Sequence, residues 1–328
     1  MEKGKVPENV LKRSVMKQIT KRRSEVLIGS GVGEDCAALK LAEDEVFVLS
    51  TDPITGTAVD IGDLAVLITV NDLASSGAEP IGIMLTVLLP VKTREIALKK
   101  IMSQVSAACA KANVQIIGGH TEVTDVVNQP VISVTGVGKV KEGKLISTAG
   151  AAPGMDLVLT KWIGLEGTSI IAKEKEEELL TKLPVSIVER AKNFDELLSV
   201  LTEGRVAAEF GVAAMHDVTE GGIFGALWEV GEASGVGMEV DLRAIPIRQE
   251  TVEVCEFFDI NPYQLISSGS MLIATEDGKG LTAALEKAGV KATVIGKTTE
   301  GNDRVIIRDD EKRFLEPPAV DELYKALK

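Results

Sequence analysis

Apolar residues follow two periods along the chain, the period of two typical of strands and the period of three to four typical of helices. The first half predicts a helix over 8–23, a strand at 45–51, a helix over 61–77, a strand at 81–89, a helix over 93–113 and strands at 114–118 and 130–138. The second half predicts a strand at 156–160, helices within 166–181 and 184–210, a helix starting in the Gly-rich segment 217–222, a strand at 237–242 and strands within 271–308. This alternation predicts an α+β protein built from α/β domains.

The segment ISTAGAAPGMD, residues 146–156, interrupts this pattern with small and Gly-rich sequence that is typical of a linker. A chain of 328 residues is also longer than one compact core usually supports. We therefore expect two domains, covering residues 1–150 and 151–328.

A polar pair interrupts the most apolar predicted helix. The run LAVLITV is apolar on nearly all sides, which predicts a helix packed on more than one face, and Asn71 and Asp72 follow it directly. A carboxylate in such a place is costly unless it is hydrogen bonded, paired with a cation or bound to a metal. Asp72 therefore needs a partner, and the small residues after it predict a close packing contact.

Composition excludes several classes of protein. The net charge of -13 argues against nucleic acid or an anionic membrane as the main partner. The N-terminal segment lacks the apolar core of a signal peptide, and the longest apolar run is too short to span a membrane, so a cytoplasmic location is expected. The three cysteines show neither a disulfide framework nor zinc-site spacing.

Glycines precede acidic residues in the segment GSGVGEDCAAL, residues 29–39. Gly31 and Gly33 allow backbone N–H groups to converge on an anion, and Asp35 is the kind of residue that holds the divalent metal of a polyphosphate. A flexible turn before a strand is the alternative. The segment is not a Walker loop, because no Gly-Lys-Ser/Thr follows.

Two further segments place polar residues after predicted strands. Asp52 ends the first of these strands, and IGGHTEVTD brings Gly118, Gly119, His120 and Thr121 after another. Asp52 alone is as consistent with a turn as with a ligand. Magnesium prefers oxygen ligands from one or two carboxylates together with phosphates. Asp35, Asp52 and Asp72, each at the end of a different element, are therefore the candidate metal ligands.

The order of these segments resembles the superfamily of aminoimidazole ribonucleotide (AIR) synthetase, thiamine-monophosphate kinase, selenophosphate synthetase and the hydrogenase-maturation factor HypE. The resemblance runs from GVGEDCAAL through STDP, VNDLASSGAEP and IGGHTEVT to HDVTEGGIFGALWEVGEASGVGMEVD. It implies binding of ATP with Mg²⁺, an N-terminal domain that pairs into a homodimer with a β-barrel core, and a C-terminal α/β sandwich. It also implies that Asp72 ligates magnesium and that Asn71 orders the adjacent loop or phosphate. The cofactor-binding residues expected on this basis are Gly31, Gly33, Asp35, Asp52, Asn71, Asp72, Gly118, Gly119, His120 and Thr121.

Within the superfamily the pattern is most similar to HypE. Members of that group carry an acid where this chain has His120, and a C-terminal cysteine bearing the carbamoyl group that HypE dehydrates to a nitrile, where this chain reads DELYKALK. The first hypothesis is an ATP-dependent enzyme that activates an oxygen of a small-molecule or protein-borne substrate. The second is a nucleotide-binding accessory protein that engages a maturation partner without catalysis. An enzyme resembling thiamine-monophosphate kinase or AIR synthetase is a weaker alternative.

Overall fold

The computed structural model describes residues 1, 3–31, 36–54, 60–317 and 320–328. These residues divide into two compact units, the first made of residues 1–74 and 78–145 and the second of residues 75–77 and 146–328. Each unit combines one large sheet with helices, as the alternating pattern predicts. The α+β class is confirmed.

The first unit contains seven strands and three α-helices among its described residues. In chain order the strands are β1 (Gly4–Lys5), β2 (Val26–Ile28), β3 (Ala38–Leu39), β4 (Glu45–Ile54), β5 (Glu79–Pro90), β6 (Gln115–Thr124) and β7 (Val131–Lys141). The helices are α1 (Glu8–Val10), α2 (Ile61–Ser75) and α3 (Glu95–Ala112). Five of the strands form one sheet in the order β1-β6-β5-β7-β4, and β2 pairs with β3.

Helix α2 packs closely on strand β7, because glycines on the strand leave room for the helix. A Cβ on Gly136 would lie 2.5 Å from Thr69 Cγ2 and 3.1 Å from Leu73 Cδ1. Thr69 and Leu73 are completely buried in this contact. The close packing expected near the end of α2 is therefore present.

Strand β4 shows the alternation that this packing produces. Residues whose side chains face α2 are partly buried, whereas Phe47 and Leu49 are 50% and 65% exposed on the opposite face of the sheet. The sheet formed by the described strands is open, so the β-barrel expected for a dimer is not closed within this chain.

The second unit contains seven strands and eight α-helices among its described residues. The strands are β8 (Asp156–Thr160), β9 (Ala214–Val218), β10 (Gly237–Asp241), β11 (Ser270–Thr275), β12 (Ala292–Thr299), β13 (Arg304–Arg308) and β14 (Glu311–Phe314). The helices are α4 (Leu165–Glu174), α5 (Glu176–Leu179), α6 (Val185–Lys192), α7 (Leu201–Phe210), α8 (Gly222–Ser234), α9 (Gln249–Phe258), α10 (Gly278–Lys287) and α11 (Leu323–Ala326). The sheet has the order β14-β13-β10-β12-β8-β11-β9.

The core of this unit lies between the sheet and helix α8. Leu157, Leu159 and Met238 from the strands pack with Ile223 and Leu227 of the helix, and all five are buried. Strand β14 is at the sheet edge, and its four residues are exposed.

Four predicted elements differ from the structure. The helix expected over 8–23 becomes α1, a π-helical turn at Leu11–Val15 and a 3₁₀ turn that ends at Gln18. Beyond it, Arg23 is held by ion pairs with Glu25 at 2.8 Å and Glu79 at 2.6 Å, so tertiary contacts rather than helical periodicity place this segment. The helices expected within 166–181 and 184–210 are divided into α4, α5, α6 and α7. Strand β6 continues through His120 to Thr124, where a loop was expected after residue 118.

Candidate functional site

Asp52 and Asp72 come together at one hydroxyl group. Ser50 and Asp52 are two residues apart on β4, so both side chains face helix α2, which carries Asp72. Ser50 Oγ donates a short hydrogen bond to Asp72 Oδ2 and lies 3.3 Å from Asp52 Oδ2. A serine hydroxyl has one proton and cannot donate fully to both carboxylates at once. The arrangement therefore presents two neighbouring carboxylates of the type that a hard divalent cation prefers.

Asn71 lies beside this pair but has a different environment. Its side chain is 1% exposed, whereas Asp72 is only partly buried. The helix therefore turns Asn71 into the interior and leaves Asp72 accessible from one side.

Several of the other predicted residues line one cavity of about 660 Å³ in the first unit. Its walls include Gly31, Gly118, Gly119, His120 and Thr121. The structure thus brings Gly31 and the segment 118–121 together around one cavity. Asp52, Asn71 and Asp72 are not among the lining residues of this cavity. Gly33 and Asp35 lie outside the described residues.

The sheet register relates the acidic pair to the glycines. Asp52 on β4 pairs with Val134 on β7. Val134 pairs in turn with Leu85 on β5, and Leu85 pairs with Gly119 on β6. At the usual strand spacing this row separates Asp52 from Gly119 by about 14 Å. The predicted residues therefore form two groups that one extended ligand, rather than one compact ion, would have to join.

Gly119 is required by the backbone geometry. Its φ angle is +145°, and a Cβ at this position would lie 2.1 Å from the Leu85 carbonyl oxygen. Only glycine combines this conformation with such a close backbone contact. Strands β5 and β6 therefore lie close together at the edge of the cavity, because Gly119 places no side chain between them.

The imidazole of His120 contacts a nearby carboxyl group. Its Nε2 atom lies 3.1 Å from Glu122 Oε2, and the side chains are 44% and 37% exposed. His120 lies opposite Thr86 on the neighbouring strand β5. His120 is thus in contact with a carboxylate two residues later on the same strand.

A group of three or more His, Cys, Asp or Glu residues placed to hold a metal is absent from the described part of the chain. Asp52 and Asp72 supply two carboxylates, and the third predicted ligand, Asp35, is outside that part. Cys36 is exposed and lines the cavity, whereas Cys109 and Cys255 are buried.

The second unit contains a buried acidic residue, Glu166, that the sequence does not predict. Glu166 is 3% exposed, and burial raises its pKa to about 7, with Asp321 and Glu220 adding to the effect. Its Oε2 atom has no hydrogen-bond partner among the described residues. Nothing in the local segment GLEGTS, residues 164–169, marks this burial, because it depends on packing against other elements.

The N-terminus of helix α8 is already occupied by a carboxylate. Asp321 accepts hydrogen bonds from the backbone N–H groups of Gly221 at 2.7 Å, Leu323 at 2.8 Å and Ile266 at 3.2 Å. A helix N-terminus attracts anions, and here an acid 100 residues later in the chain supplies one. The Gly-rich segment at 221–222 thus binds the C-terminal segment in this structure.

Comparison with known protein families places these features in context. Residues 33–140 match the N-terminal domain, and residues 152–309 the C-terminal domain, of AIR synthase related proteins. The chain belongs to the AIR synthase related family. This family assignment confirms the resemblance inferred from the sequence motifs.

Individual family members are similar over most of the chain. Carbamoyl dehydratase HypE of Cupriavidus necator is 31% identical over 279 residues, which are 82% of this chain and 77% of that protein. The structure of a hydrogenase maturation protein HypE in complex with ATP matches with a TM-score of 0.78 at 20% identity, over 98% of this chain and 97% of that one. HypE in a HypE–HypF complex matches with a TM-score of 0.72 at 25% identity, over 83% and 90% of the two chains.

No helix in the described part of this family member combines the length and the apolar composition needed to cross a membrane.

Proposed function

We propose that this protein is an ATP-dependent enzyme of HypE type, which activates an oxygen atom of a small-molecule or protein-borne substrate. The observation that carries the proposal is the convergence of Asp52 and Asp72 on Ser50, in a fold that HypE shares. The similar C. necator protein is named a carbamoyl dehydratase, and a HypE structure of the same fold contains ATP. Phosphorylating a carboxamide-like oxygen makes it a leaving group, which is the chemistry a dehydration needs.

Asp52 and Asp72 fit a magnesium site. Two carboxylates around one hydroxyl repel each other, and a divalent cation between them would offset that repulsion. When bound, Mg²⁺ supplies positive charge to the phosphate oxygens of the nucleotide. Asp35 is the third ligand predicted from the sequence. Asn71, buried beside Asp72, is proposed to order the adjacent loop or phosphate.

The cavity around Gly118 and Gly119 is the proposed position of part of the nucleotide. The glycines leave the strand backbone uncovered by side chains, and Thr121 and Gly31 line the same cavity. The row of cross-strand partners from Asp52 to Gly119 runs through the buried residues Val134 and Leu85, so an extended nucleotide that contacts both groups would have to pass outside this row. His120 is proposed to contact the nucleotide through the ring that also touches Glu122.

The protein is further proposed to form a homodimer through the open face of the first sheet. Phe47 and Leu49 are 50% and 65% exposed on this face. Neighbouring exposed apolar side chains on a sheet are typical of an interface. A second copy placed on this face would create the β-barrel core expected from the family resemblance.

An accessory role is the second candidate. His120, where the resemblance to HypE leads us to expect an acid, favours nucleotide binding without the usual reaction. HypE also forms a complex with HypF, so a maturation partner is a reasonable ligand for such a protein. The two hypotheses differ in whether a product forms from a second substrate.

The test is ATP turnover measured with and without a carbamoylated thiol as second substrate. We expect phosphate release that depends on this substrate, together with an infrared band of the nitrile product. Nucleotide binding without substrate-dependent turnover would support the accessory role. Absence of nucleotide binding would contradict both hypotheses.

A further inference from the structure

A separate cavity of about 370 Å³ lies in the second unit, next to the hairpin of β13 and β14. Its apolar wall includes Phe224 and Tyr263, whose rings stack with centroids 5.3 Å apart and planes inclined by 11°. Leu242 and Ile306 extend this wall. Cavities of this size and composition are typical of binding sites for small organic molecules.

The hairpin brings charged side chains to the same cavity. Arg308 pairs with Glu311 across the turn, and Ile306 pairs with Arg313, so these four residues share one face of the hairpin. All four line the cavity. The hairpin therefore gives the apolar wall a polar margin.

Arg308 is available to a ligand. Its guanidinium forms no hydrogen bond or ion pair with any residue in the ranges the structure describes, although its charge acts on the Tyr263 hydroxyl. The other cavity arginine, Arg313, lies 3.3 Å from Glu311. A guanidinium with five N–H donors next to a phenol hydroxyl is a donor set for a carboxylate.

The remaining charges of the cavity favour a ligand with a single negative charge over a polyanion. Glu311 and Glu316 also line the cavity, so its two arginines are balanced by two carboxylates. A polyphosphate would be repelled by these acids, whereas a monoanion can contact Arg308 and direct its apolar part to the stacked rings.

We propose that this cavity binds a small organic monocarboxylate with an apolar or aromatic body, through Arg308 and the Phe224–Tyr263 wall. The carboxylate accepts hydrogen bonds from the guanidinium and from the Tyr263 hydroxyl, and the body packs on the rings. This site does not depend on the proposed ATP-dependent activity, and it would be occupied whether or not the protein turns over ATP.

The test uses 3-phenylpropionate and its neutral amide as matched probes. Titration followed by ligand-observed and protein-observed NMR is expected to show saturable binding of the acid, at least tenfold tighter than binding of the amide. Arg308→Gln is expected to remove the preference for the acid, and Arg308→Lys to keep part of it. Because Arg308 is exposed at the end of β13, these variants should fold normally.

Arg205→Gln is the control, since Arg205 is an exposed arginine on α7 that pairs with Glu209 and does not line the cavity. It should leave both affinities unchanged. A lack of saturable acid binding, equal binding of acid and amide to the unmodified protein, or an unchanged preference in Arg308→Gln would each overturn the proposal. Loss of the preference in Arg205→Gln as well would show non-specific charge attraction and would overturn it too.

Discussion

Asp52 on strand β4 and Asp72 on helix α2 both lie at the hydroxyl of Ser50, although the two acids belong to different elements of the chain. The sequence indicates that Asp72 requires a partner, and in the structure one of its partners is a serine that is already close to a second carboxylate. This geometry gives the magnesium hypothesis its physical basis.

Replacing either acid is the first test of that hypothesis. Asp52→Asn and Asp72→Asn keep the shape of the side chain but remove a charge from the proposed cation site. We expect magnesium-dependent ATP binding, measured by calorimetry, to weaken at least tenfold in each variant, which corresponds to about 1.4 kcal/mol.

Asp125→Asn is the matched control for these variants, because Asp125 is an exposed acid of the same unit that pairs with Lys3 at 2.8 Å. It should bind ATP like the unmodified protein. The magnesium site would be contradicted if the Asp52 and Asp72 variants both bound ATP as tightly as the unmodified protein while circular dichroism showed a normal fold.

Gly119→Ala is expected to destabilise the first unit. The new Cβ would lie 2.1 Å from the Leu85 carbonyl oxygen and would have to accept a φ of +145°. Together these effects should lower the free energy of unfolding by about 3 kcal/mol or more, measured with urea.

Gly143→Ala separates the two causes, because Gly143 has a φ of +78° but no heavy atom of the described residues within 4 Å of the position that a Cβ would take. It should cost about 1 kcal/mol from backbone conformation alone. Equal losses in both variants would show that the contact with Leu85 contributes nothing.

Glu166 is expected to make the stability of the protein depend on pH. Burial raises its pKa to about 7 in the folded state, above its usual value of 4.5, so the folded state binds more protons than the unfolded state between these pH values. The contribution of Glu166 to the free energy of unfolding is therefore most favourable below pH 4.5. This contribution should become less favourable as the pH rises from 4.5 to 7, and it should stay constant above pH 7.

The full size of this effect is about 3 kcal/mol, from 1.36 kcal/mol for each pKa unit. Glu166→Gln should flatten the slope of the unfolding free energy between pH 5 and 7, and Glu209→Gln, at an exposed ion pair on α7, should leave it unchanged. An identical slope in Glu166→Gln and in the unmodified protein would contradict a raised pKa for this carboxyl.

The open sheet face predicts the effect of a charge on self-association. Leu49→Lys places an ammonium group on the exposed apolar face of β4, and we expect sedimentation to show a monomer at micromolar concentration where the unmodified protein is a dimer. Ile96→Lys is the control, because Ile96 is 62% exposed on helix α3 and not on this face. A monomeric unmodified protein, or a dimeric Leu49→Lys variant, would exclude this interface.

The class of the fold and the need for a partner at Asp72 could both be predicted from local sequence. Periodicity within an element decides these features, since the apolar run before Asn71 and the alternation in β4 depend on neighbouring residues. Family motifs likewise lie in short segments, so the resemblance could be read without a structure. The extent of β6 past His120 was missed, because glycines and polar residues there resemble a loop until pairing with β5 is known.

Which distant groups meet depends on the folded chain. Ser50 reaches Asp72 across 22 positions, and Asp321 reaches Gly221 across 100, and neither pairing leaves a local signal in the sequence. The same holds for the burial of Glu166 and for the position of Arg308 beside Tyr263. Burial, hydrogen bonding and charge proximity arise from packing between elements, whereas periodicity within an element specifies only which side of it is apolar.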